Sequence, residues 1–112
     1  MKSDADRVSE RIEAEIERFR VDEAKQAIKS YLVPPRCEKR ISDREDVHPC
    51  WLIAELPDDF GIVYDEGATD PWGIIRRTDN FIGSDDFWFL TLEDAFYQSG
   101  WTGPRPANYE VS

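Results

Sequence analysis

Residues 50–64 read Cys50-Trp-Leu-Ile-Ala-Glu-Leu-Pro-Asp-Asp-Phe-Gly-Ile-Val-Tyr64, and this stretch decides the fold class. Cys50–Leu56 is a short apolar run closed by Pro57-Asp58-Asp59, and Phe60–Tyr64 is a second such run. Two apolar runs of strand length joined by so short a turn make an antiparallel hairpin. Reading toward the C-terminus, Gly67–Asp70 breaks the pattern and Trp72–Arg76 makes a third strand. Phe81 and Gly83 then lead through Ser84-Asp85-Asp86 to a fourth, Phe87–Leu90. Thr91-Leu92-Glu93-Asp94 has the hydroxyl and carboxylate spacing of a capping box, so a helix runs from there to about Ser99 and ends at Gly100.

Reading toward the N-terminus, Arg36–Ile41 carries alternating charge that suits an edge strand. Pro34 and Pro35 stop whatever precedes them, since proline lacks the N–H and holds the residue before it extended. Upstream, Val8, Ile12, Ile16 and Phe19 form one apolar helical stripe, and Ala24, Ala27, Ile28 and Tyr31 form another, rotated from the first. Two helices are therefore expected, at about residues 4–20 and 22–32, with Ser3 and Asp6 starting the first and Asp22 capping the second. The expected architecture is α+β: an N-terminal helix pair and a short C-terminal helix packed on an antiparallel sheet of three to five strands. It is read as one domain over residues 1–112, helical over 1–33, sheet over 36–90, helical over 91–100 and an irregular tail over 101–112.

The 112 residues hold 24 Asp and Glu against 14 Lys and Arg, a net charge of −10. That surface repels phosphates, so nucleic acid is not an expected direct ligand. No apolar stretch approaches the roughly 18 residues of a membrane span, and no apolar leader opens the chain, so a cytoplasmic location is expected. The charge is unevenly placed. Up to His48 the chain is nearly balanced, whereas the residues after it carry only Arg76, Arg77 and Arg105 against twelve carboxylates. All four tryptophans, Trp51, Trp72, Trp88 and Trp101, lie in that acidic part.

Conventional chemistry finds little support. Zinc would have to come from His48, Cys37, Cys50 and a carboxylate, a spacing that matches no compact zinc signature, and no cofactor or metal is expected. Cys37 or Cys50 with His48 gives the only Cys/His pairs, and no motif orients either as a nucleophile. The carboxylate-rich loops at Asp65, Glu66 and Asp70 and at Asp85 and Asp86 lack the order of a calcium loop and read as solvated turns. No catalytic residue is assigned and the chain is read as a non-enzyme.

The segments Cys50–Glu55 (CWLIAE), Gly61–Tyr64 (GIVY), Asp70–Ile75 (DPWGII), Trp88 and Thr91–Phe96 (TLEDAF) together resemble a family of small, uncharacterised bacterial proteins. The resemblance covers about half of the chain and implies a bacterial α+β protein. In style, short, acidic and rich in tryptophan, the chain is similar to the immunity proteins that neutralise nuclease toxins.

Two functions follow as expectations. The first is a protein-binding module, an immunity-type inhibitor in its most concrete form, that blocks a basic partner with Asp58, Asp59, Asp65, Glu66, Asp70, Asp85 and Asp86, using an exposed Trp72 or Trp101 as apolar anchor. The second is a small enzyme or ligand-binding domain with a pocket between sheet and helices lined by Trp72, Arg76 and Trp88. There Arg76 and Arg77 would otherwise pair with Asp79 or Asp70 at the surface. Either is compatible with a monomer or with a homodimer built through the N-terminal helices.

Overall fold

A computed structural model describes residues 3–41, 45–79, 81 and 87–106, excluding the side chain of His48. Its elements are α1 (Asp4–Glu17), α2 (Asp22–Tyr31), β1 (Leu32–Ile41), β2 (Val47–Glu55), β3 (Phe60–Tyr64), β4 (Trp72–Arg76), β5 (Trp88–Phe89) and α3 (Leu92–Gln98). The strands form one antiparallel meander in the order β1-β2-β3-β4-β5. The architecture is α+β, with the N-terminal helix pair and the C-terminal helix accompanying a five-stranded sheet.

Local chemistry accounts for most boundaries. At α1 the Ser3 hydroxyl accepts from the Asp6 N–H while the Asp6 carboxylate accepts from the Ser3 N–H, a reciprocal cap. Asp22 does not cap α2. It is the first helical residue, behind Val21, which makes no side-chain cap, so its carboxylate serves the positive helix end instead. The prolines do end the helix, but they do not delay the strand. β1 begins at Leu32, four residues before the expected Arg36, and Pro34 and Pro35 fall in a register irregularity between Leu32 and Arg36 on this edge strand. β2 starts at Val47 rather than Cys50, because its first residues pair with β1 beyond the end of β3. β5 is two residues long, not four. At α3 the Thr91 hydroxyl accepts from Asp94 N–H at 3.1 Å, one side of the expected box.

The β2–β3 turn is tight. Asp58 and Asp59 both take positive φ, 60° and 68°, and Phe60 N–H donates to Pro57 O, the arrangement whose twist suits a two-residue hairpin. Asp59 is held from outside the turn. Its carboxylate accepts from the Thr78 hydroxyl at 2.5 Å, and its carbonyl accepts from Arg77 N–H. The hydroxyl bond holds the Asp59 carboxyl below the usual range.

The sheet buries apolar groups on both faces. On the helical face Ile53, Ile62, Tyr64 and Trp72 join Val8, Ile12, Ile16, Ile28, Leu92 and Phe96 in the main core. On the other face Cys50, Leu52, Val63 and Ile75 form a smaller cluster with Trp88 beside it. That face is closed by curvature. Arg40, on β1, donates to the carbonyl of Asp79 and at 3.5 Å to that of Arg76, at the far end of β4. Phe81 makes an isolated bridge with Ile41. The sheet thus curls until its first strand meets the turn after its fourth. Two glycines permit close cover. A Cβ on Gly73 would lie 2.8 Å from the Trp88 ring, and one on Gly61 would lie 2.9 Å from the Arg77 side chain.

Two buried carboxylates fasten α3 to the N-terminal helices. Glu15 accepts from Leu92 N–H at 3.0 Å, satisfying a free donor at the start of α3. Glu93 accepts from the backbone and side chain of Arg20, at 2.9 and 3.1 Å, and from the Tyr97 hydroxyl at 2.8 Å.

Candidate functional site

The expected acidic surface is not one surface. Asp58 and Asp59 sit in the β2–β3 turn, while Asp65, Glu66 and Asp70 sit in the β3–β4 loop at the opposite end of β3. Five residues of strand put about 15 Å between the two groups. Several of these carboxylates also have local work. Asp65 accepts from Gly67 N–H, Glu66 pairs with Arg7 at 3.3 Å, and Asp59 holds Thr78. Asp85 and Asp86 lie outside the described residues.

Trp72 is not exposed. It is 0% accessible, pairs with Tyr64 across β3 and β4, and its ring centroid lies 4.5 Å from that of Tyr64. The turn-rich Asp70-Pro71 before it suggests exposure, but Trp72 is already the first residue of β4 and points into the main core. Its indole N–H has no acceptor among the described residues.

The pocket of Trp72, Arg76 and Trp88 is not assembled either. Trp88 pairs with Gly73 and belongs to the opposite face of the sheet from Trp72. Arg77 and Arg76 are not partners of Asp79 or Asp70 at the surface. Arg77 donates to Phe60 O, Leu56 O and the Glu55 carboxylate, clamping the β2–β3 hairpin, and the Arg76 guanidinium lies 5.1 Å over the Phe60 ring. Cys37 and Cys50 stand on adjacent strands, but Cys37 pairs with Trp51 and Cys50 with Glu38. One step of register puts the two thiols on opposite faces, so they do not share a metal or a disulfide in this register. Burial pushes the Cys50 thiol up to about 11. Among the described residues no three His, Cys, Asp or Glu side chains are grouped to hold a metal ion, and no helix is long and apolar enough to cross a membrane.

Two of the concave features are lined by aromatic rings and share Phe60. The first is a groove of about 400 Å³ lined by Phe60, Ile74, Ile75, Arg76, Asp79, Phe81 and Phe87. Its rim is apolar, with Phe81 40% and Phe87 50% accessible, and Leu90, at 63%, follows β5. The second, about 260 Å³, is lined by Tyr31, Pro57, Asp58, Phe60, Phe96 and Trp101. Trp101 is half-buried against Phe96 at 5.2 Å, and its indole N–H donates to Pro104 O at 2.9 Å. Of the expected anchor residues, therefore, Trp101 and Asp58 are brought together. Phe60, Phe81 and Phe87 carry no motif in the sequence that marks them as site residues.

Comparison of the chain with models of known protein families, with curated proteins and with solved structures gives no match. The resemblance to a bacterial family gains no support from them.

Proposed function

We propose that this chain is a protein-binding module that contacts its partner through the two aromatic grooves meeting at Phe60. The observation that carries the reading is the exposed aromatic rim, Phe81 and Phe87 beside a groove of about 400 Å³. Large rings half-exposed around a concavity resemble the apolar centre of an interface rather than a solvated surface. Arg76 over Phe60 adds the other residue type that dominates interface energetics.

The net charge of −10 favours a basic partner and speeds encounter with it. An immunity-type inhibitor, which covers the basic cleft of a nuclease, is one module of this kind, and the acidic charge is what supports that version. A second reading keeps one supporting fact: the volume of the first groove falls in the range of small-molecule sites, with Arg76 and Asp79 as its polar groups.

The test is capture from the native host with the wild-type chain and with a Phe81→Ser/Phe87→Ser variant. A basic protein held by the wild type and lost by the variant supports binding through the groove. An identical set of proteins on both, or a small molecule co-purifying in place of a protein, overturns it.

A further inference from the structure

The second groove has a composition of its own. Around Tyr31, Phe60, Phe96 and Trp101 the only charged side chain lining it among the described residues is Asp58. The other carboxylates near the β2–β3 turn are engaged, Asp59 by Thr78 and Glu55 by Arg77. The carboxylate of Asp58 has no partner among the described residues. The neighbouring cations lie outside the groove and are committed, Arg105 to the carbonyls of Tyr97 and Trp101, and Arg76 to the Phe60 ring. That last contact shows that a ring of this surface already accepts a guanidinium.

We propose that the groove between the β2–β3 turn and the C-terminal end of α3 receives a basic side chain of the partner, arginine or lysine, with Asp58 as its counter-charge. The inference rests on the protein-binding reading and deepens it. An aliphatic stem packs on aromatic rings while its charged head remains at the wet rim. There the head meets the Asp58 carboxylate in a charge-assisted hydrogen bond and the negative faces of the rings. The positive φ of Asp58 fixes the direction in which its side chain leaves the turn, because the turn leaves its backbone little freedom.

The experiment uses two probes on the full chain, N-acetyl-arginine amide and N-acetyl-norleucine amide, followed by amide and indole chemical shifts. The arginine probe gives saturable shifts at Trp101, Thr102 and Asp58 and binds about two- to fivefold more tightly than norleucine, as one exposed charge pair allows. Asp58→Asn reduces the arginine probe to the norleucine level. Asparagine tolerates the left-handed backbone at least as well as aspartate, so this variant keeps the turn. Equal affinity for the two probes, shifts scattered over the acidic surface, or an unchanged Asp58→Asn overturns the proposal. In the capture assay the two readings separate. A partner lost by the Phe81/Phe87 variant but kept in full by Asp58→Asn removes the basic anchor and leaves the module standing, whereas a partner kept by both variants removes both.

Discussion

Single residues set the shape of this molecule where a sequence pattern leaves it open. Gly73 is the clearest. Trp88 covers it so closely that a methyl group there would meet the indole at 2.8 Å. Gly73→Ala is expected to cost about 1–3 kcal/mol by overpacking, with a shift of tryptophan emission, and a melting curve with fluorescence detection checks it. The two cysteines should differ sharply in chemistry. Cys37 is exposed and reacts with a thiol reagent in the native chain, whereas Cys50 is buried and reacts only on unfolding. Because burial raises the Cys50 pKa from 9.0 to about 11, its share of stability is complete below pH 9 and is lost as pH rises toward 11. A series of denaturant midpoints from pH 8 to about 11 reads that loss, and a Cys50→Ala variant flattens that part of the profile.

Elements are joined by a few polar groups that no periodicity reveals. The carboxylates of Glu15 and Glu93 each cross from one helical segment to another, the first to the start of α3 and the second to Arg20 beyond α1. Glu15→Ala leaves the Leu92 N–H without its acceptor in a buried place and is expected to lower stability by about 1–3 kcal/mol. Glu15→Gln, which keeps an acceptor, should recover part of that, and chemical denaturation of both variants checks the order. The strands themselves were legible. β3 and β4 match the apolar runs Phe60–Tyr64 and Trp72–Arg76 residue for residue, because a buried strand bounded by turn residues leaves little choice. The two-residue β5 was not legible, since Phe87–Leu90 has the composition of a longer strand and only pairing decides its length. Nor was the start of β1, because Pro34 and Pro35 look like a break and an edge strand accommodates them in an irregular register.

At the scale of the whole molecule, the sequence separates an acidic, tryptophan-rich part from a balanced one, and the fold redistributes both. Alternation alone does not say which side of a sheet is covered, so Trp72 looked exposed and became core, while Phe81 and Phe87, which carry no motif, form the accessible rim. Among the described residues the expected acidic groups divide between the two ends of β3, with Asp58 beside the second aromatic groove, while Asp79 lines the first. Charge still acts at long range. Association with a basic partner should slow by about tenfold or more between low and physiological-plus salt, while dissociation changes little, which stopped-flow mixing at several ionic strengths would read. The most direct measurement of the central claim is photo-cross-linking in the native host from a photoreactive phenylalanine analogue at Phe87, compared with the same group at Asp70 on the opposite end of β3. A basic protein cross-linked from position 87 and not from position 70 is the predicted result. Cross-linking from position 70 alone, or from neither position, would contradict the account.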